Sequence, residues 1–195
     1  MSTERLEKPV TYISVDIEAA GPSPSGYAML SVGACVVDPV STDAPDAEPG
    51  FYIELQPDRE GAVDSAMSVG GFTLDGLRAS GTAPAVAMRQ FADWIEAVTP
   101  AGHRPVMVGF NAVFDWMFVA DYFHRYLGRN PFGHSALDIK ALYLGVTGSS
   151  WPGTSMNFVA ERYGLSITLT HNALDDARDQ AALFRAVRAE RDARV

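Results

Sequence analysis

The sequence predicts an α/β chain, a mixed β-sheet with helices packed on it, forming one domain over residues 1–195. Three observations carry this. Three strand-like runs come first, and after them helices alternate with strands. A length of 195 residues suits one core and is short for two. No repeat, linker or low-complexity segment is large enough to divide the chain.

The first strand is Val10 to Asp16, an alternating β-branched run. A Gly/Pro/Ser turn, Gly21 to Gly26, leads to a second strand over Met29 to Val37. Asp38 to Gly50 is acidic and without periodicity, and reads as a loop. Phe51 to Leu55 is a third strand, returning as a hairpin beside the second. A long connector, Gln56 to Gly71, precedes a short helix near Thr73 to Ala79. The next helix starts at Pro84 and ends before Pro100, with a buried stripe of Ala87, Phe91, Trp94, Ile95 and Val98. Val106 to Phe110 is a strand, and Asn111 is placed to cap the apolar helix that runs to about Leu127. Ser135 to Ile139 is a fifth strand. A helix starting at Ser155 stops at Gly164, and the last runs from about Ala173 to near the terminus.

Hydrophobic residues make up 47% of the chain and charged residues 20%, a globular composition. The formal net charge of −9 argues against binding duplex nucleic acid or anionic membrane through a broad basic face. It leaves room for a nucleic acid gripped at one point by bound cations. Cys35 is the one cysteine, a small apolar residue on a strand, so no internal disulfide forms. The N-terminal residues lack a signal-peptide core, and the most apolar stretch, Val106 to Ala120, falls short of the roughly 20 residues a bilayer span needs. The expectation is a cytoplasmic protein with no membrane segment.

Asp16-Ile17-Glu18 places two carboxylates on one face at the end of an apolar strand. Two buried like charges need a cation, and hard oxygen ligands select Mg²⁺ or Mn²⁺. The spacing alone is cheap: about 0.7 Asp-x-Glu is expected by chance at this composition. Asp46-Ala47-Glu48, inside the acidic loop with no strand before it, reads as a solvated decoy. Asp115 falls in the first turn of a helix entered straight from a strand, among Phe114, Trp116, Met117 and Phe118. Its plain reading is a favourable charge at a helix N-terminus. In His171-Asn172-Ala173-Leu174-Asp175-Asp176, Asn172 as N-cap makes Asp175 a capping-box residue and frees Asp176 for the site. His171, on the preceding loop, can swing toward a bound water.

An acid pair ending the first strand, an acid opening a central helix and a His-x4-Asp opening the last helix together resemble the DEDD superfamily of 3′→5′ exonucleases. The histidine places the resemblance in the DEDDh branch. It covers about Thr11 to Val187 and takes in Gly21, Gly33-Ala34, Asn111-Ala112-x-Phe114-Asp115, Leu137-Asp138 and the Ser155 to Gly164 segment, which look like the proofreading-subunit and ribonuclease T members. Two positions depart from the pattern: Ala19 stands where Thr is usual after the acid pair, and Ser31 where an acid is common.

The resemblance implies a ribonuclease H-like fold, a five-stranded mixed sheet flanked by helices. It implies two Mg²⁺ or Mn²⁺ ions held by Asp16, Glu18, Asp115 and Asp176, with His171 as general base. The implied substrates are single-stranded RNA or DNA 3′ ends, cut to nucleoside 5′-monophosphates. Ala19, Asn111 and Phe72 are the expected substrate contacts, with Trp151 a second stacking candidate. The arginines at 178, 185, 188, 191 and 194 read as a solvated helix face or a backbone track. Relatives include dimers and partner-bound subunits, so a homodimer or a polymerase-type partner is implied. The rival readings are a catalytically silent binding protein and a hydrolase of dinucleotides or short oligonucleotides.

Overall fold

The computed structural model describes residues 8–38, 50–168 and 170–194. The decoy acids Asp46 and Glu48 lie outside these residues, with most of the acidic loop. The strands are β1 (Val10–Ala19), β2 (Met29–Val36), β3 (Gly50–Glu54), β4 (Arg104–Gly109) and β5 (Ala136–Asp138). The helices are α1 (Asp64–Gly70), α2 (Leu74–Ser80), α3 (Pro84–Val98), α4 (Val113–Leu127), α5 (Ile139–Thr147), α6 (Met156–Arg162) and α7 (Ala173–Asp192), with a 3₁₀ turn at Trp151–Thr154.

The sheet order is β3-β2-β1-β4-β5. β1, β2 and β3 run antiparallel as hairpin neighbours, whereas β4 and β5 join parallel to β1. This is the expected five-stranded mixed sheet. β1 lies at its centre, so alternate residues face opposite helical layers. Ile13, Val15 and Ile17 pack toward α3 and α4, against Phe91, Phe118 and Phe123. Full burial of an apolar side chain of this kind contributes about 1.5–3 kcal/mol. The opposite face packs under α5, α6 and α7 through Val108, Ile139, Val159, Leu183 and Phe184. Asp16 and Glu18 alternate with the Ile13 set, and so they face α7.

Three features differ from the sequence reading. The connector holds α1, a short helix whose Ser, Gly and single Asp give no apolar stripe to read. α5 follows β5 directly, because the Asp138 side chain caps it by accepting the Ala141 N–H at 2.6 Å. Asn111 does not cap α4: Ala112 occupies that position, and Asn111 adopts a left-handed backbone with φ 61. The Ala112 N–H is taken instead by Asp138 Oδ2 at 2.6 Å. Asn111 is therefore the corner residue between β4 and α4, exposed and with its side chain uncommitted to the helix.

Candidate active site

The parallel pairing of β1 with β4 ends at Ser14 and Val108, which leaves that flank of β1 open beyond Ser14. Asp115 fills the opening. Its Oδ1 accepts the Ile17 backbone N–H at 3.1 Å, between the two acids of β1, and the residue is 4% exposed. On the other flank Asp16 pairs with Gly33 of β2. A Cβ at Gly33 would run into the Ala173–Leu174 peptide, so the missing side chain is what lets the N-terminus of α7 lie on the sheet.

That approach brings in Asp176, which is 3% exposed. Its carboxylate accepts the backbone N–H groups of Thr170 at 3.0 Å and His171 at 3.1 Å. These bonds fold the preceding loop and hold His171 at φ 57. Asn172 caps α7 as expected, accepting from Leu174 and Asp175. The reciprocal half of the capping box is absent among the described residues: the Asn172 N–H goes to Thr170 Oγ1, and Asp175 pairs with Arg178.

Glu18, His171 and Asp176 offer ligand atoms that all lie within 4.8 Å of one another. Burial, then the charges of Asp115, Glu18 and Asp176, push the Asp16 carboxyl well above the usual carboxylate range. Burial, then Asp176, raises Glu18 to about 7. Asp115 is also raised to about 7, by burial first, against hydrogen bonds from backbone N–H groups that lower it. Among the described residues no arginine or lysine forms an ion pair with any of these four acids. A crowded set of hard oxygen donors beside one imidazole fits Mg²⁺ or Mn²⁺.

Two further residues join this constellation that the sequence reading did not single out for it. Gln180, 2% exposed, donates from Nε2 to Asp16 Oδ1 at 2.5 Å and accepts the Phe110 N–H at 2.8 Å. Its signal was an amide on the otherwise apolar stripe of Ala173, Ala177, Ala181 and Phe184. The second is Asp138, which holds the Ala112 turn in front of Asp115.

Of the expected substrate contacts, Ala19 lines a cavity of about 360 Å³ with Pro22, Val63, Ala66 and Phe114. Phe114 directly precedes Asp115, so the cavity adjoins the acids. Phe72 packs in a small cluster with Ala20, Leu30 and Leu77. A Cβ at Gly70 would touch its ring at 2.7 Å and Glu18 Oε2 at 3.7 Å, which puts Phe72 at the site's border. Trp151 is 61% exposed, with the Lys140 ammonium 4.2 Å from its ring centre. The arginines of α7, and Arg194 just past it, are committed internally: Arg178 to Asp175, Arg185 to the Val37 carbonyl, Arg188 to Asp38, Arg191 to Asp192 and Arg194 to Glu190. Ser31 sits fully buried opposite Glu18.

The mixed sheet gathers acids from its first strand, a central helix and the last helix of the chain. Residues 13–184 match the RNase_T exonuclease family, and the chain belongs to that family of 3′→5′ exonucleases. It is 44% identical over 188 residues to the 3′-5′ DNA exonuclease Cap18 of Escherichia coli, covering 94% of each chain. Among solved structures it is similar to the nuclease domain of 3′hExo, a DEDDh member bound to rAMP (TM-score 0.71, 18% identity, 93% of this chain and 92% of that one). It is also similar to E. coli exonuclease I in complex with a dT13 oligonucleotide (TM-score 0.71, 19% identity, 94% of this chain). The chain spans 42% of the length of that exonuclease I chain. These two likenesses establish the ribonuclease H-like fold. Among the described residues no helix is long and apolar enough to cross a membrane.

Proposed function

We propose that this chain removes nucleotides from the 3′ end of single-stranded DNA in a divalent-cation-dependent reaction, releasing nucleoside 5′-monophosphates. The observation that carries the reading is the convergence of Asp16, Glu18, Asp115, Asp176 and His171 at the open end of β1. The preference for DNA over RNA rests on the 44% identity to a DNA exonuclease. Asp16, Glu18, Asp115 and Asp176 would hold two Mg²⁺ or Mn²⁺ ions. When bound, such ions neutralise the scissile phosphate, lower the pKa of the attacking water and stabilise the departing oxygen.

The protein's own groups then do the rest. His171 accepts the proton of the attacking water, a task that imidazoles commonly perform as general bases. The water oxygen bonds to phosphorus as the bond from phosphorus to the 3′-oxygen of the penultimate nucleotide breaks. The apolar cavity beside Ala19 and Phe114 takes the terminal base. Ala19 contributes no hydroxyl there, so the base is held by packing rather than by a hydrogen bond from that position. With the arginines of α7 already paired, grip on the strand comes from stacking more than from phosphate contacts.

Matched DNA and RNA oligonucleotides of several lengths, labelled at the 5′ end, test this directly. The expected result is a ladder shortening from the 3′ end in Mg²⁺ or Mn²⁺, with faster loss of DNA. Oligonucleotides left intact across both metal titrations would overturn the reading.

A further inference from the structure

We propose that Gln180 is a positioning residue: it fixes the orientation of the Asp16 carboxylate and couples it to the end of β4. The inference deepens the proposed function and rests on Asp16 being a cation-holding acid.

The orientation of the Gln180 amide follows from its partners. The Phe110 backbone N–H can only donate, so the amide oxygen faces it at 2.8 Å. The amide nitrogen then faces Asp16 Oδ1 at 2.5 Å, as a donor to a carboxylate. Gln180 itself is 2% exposed. One buried side chain thus joins three elements: Asp16 on β1, Phe110 just past β4, and α7, which carries Asp176 one turn earlier.

The residue type matters as much as the position. Asp16 faces three other carboxylates that repel its charge. A freely turning carboxylate would rotate away from them, and the bond to Oδ1 opposes that rotation. The donor is neutral, so it orients Asp16 without the positive charge by which a lysine or arginine would compete with a cation. An aliphatic residue would free Asp16 and leave the Phe110 N–H without its acceptor. Asn111, the left-handed corner that leads into Asp115, follows Phe110 directly. Gln180 therefore registers two of the four acids against the turn that presents a third. Groups that orient metal ligands from behind typically govern 10–100-fold in affinity or activity.

The test compares Gln180→Met, Gln180→Glu and Asp16→Asn with the unaltered chain. Oligonucleotide hydrolysis is measured in Mg²⁺, and Mn²⁺ binding by calorimetry without nucleic acid. Gln180→Met is expected to lower kcat and weaken Mn²⁺ binding by about 10–100-fold each, with the KM for the oligonucleotide unchanged. A purely structural role predicts a lower melting temperature with kcat and Mn²⁺ affinity intact, and that result overturns the proposal. Gln180→Glu keeps the acceptor for Phe110 and the packing while removing the donor. It decides the matter on kcat if the Met variant does not fold: a drop supports the proposal and a wild-type value overturns it. An active wild type, an inert Asp16→Asn and wild-type Gln180 variants would defeat this inference alone. An Asp16→Asn variant with full activity would defeat the site reading beneath it.

Discussion

His171 occupies a backbone region that most residues avoid, at φ 57, because its own N–H and that of Thr170 bond to Asp176. Such a placement costs of order 1–3 kcal/mol and persists where the surroundings over-determine it. The Asp176 carboxylate shapes the loop and also offers a ligand oxygen, and the imidazole ends beside Glu18. The two readings of that imidazole, base or ligand, separate by measurement. His171→Ala is expected to lower kcat by about 10²–10⁴-fold while Mn²⁺ affinity measured by calorimetry stays near that of the unaltered chain. A collapse of metal affinity would instead make His171 a ligand. Asp16→Asn, by contrast, should abolish hydrolysis while the fold stays intact or gains stability, because a crowded charge disappears; thermal melting of the metal-free variant checks the second half.

At the scale of elements, the contact of β2 with α7 decides whether the site assembles. Gly33 is the point of contact, and any Cβ there collides with backbone rather than with a flexible side chain. Gly33→Ala is expected to push α7 off the sheet, costing about 1–3 kcal/mol by overpacking. The larger loss falls on activity, because His171, Asp176 and Gln180 all travel with that helix. Comparing the melting temperature with kcat separates the two effects, and a variant with wild-type kcat would contradict the account. The connector before α1 is anchored differently. Asp58 accepts hydrogen bonds from Tyr122 at 2.5 Å and Tyr126 at 2.6 Å and pairs with Arg59, tying the chain that leads to Val63 and Ala66 onto α4. These arrangements also explain what could be read in advance. Asp16 and Glu18 were legible because strand period alone puts them on one face at a strand end. Asp115, His171 and Asp176 were legible from order and helix-start position. The role of Gln180 was not: the amide on an apolar stripe marks the residue, but its bond to Asp16 crosses 164 residues of sequence. Asn111 was misread as well: its left-handed backbone, φ 61, makes it a corner before the helix, and Ala112 stands at the cap position.

At the scale of the whole molecule, the concentrated negative charge at one end of the sheet makes stability depend on pH and on divalent ions together. Glu18 and Asp115 have pKa values near 7 in the folded protein, against 4.5 and 3.8 as their ordinary values. Between those limits the folded state binds more protons than the unfolded state, so stability falls as pH rises through roughly 4 to 7. Asp58 works in the opposite sense: hydrogen bonds from Tyr122 and Tyr126 and the bond and charge of Arg59 outweigh burial and hold its carboxyl below the usual range. Its contribution is present above the ordinary carboxylate pKa and is lost only as pH falls through its lowered value. The metal-free protein should therefore be most stable near pH 4 and melt several degrees lower at pH 8. Mg²⁺ at pH 8 should recover much of that loss, because ions that bind only the folded state stabilise it by mass action. Asp115→Asn should flatten the decline, since one of the raised carboxyl titrations is gone. Calorimetric melting from pH 4 to 9, with chelator and with Mg²⁺, measures all three. A metal-free melting temperature that stays level or climbs from pH 5 to 8 would show that these carboxylates are not crowded together as described.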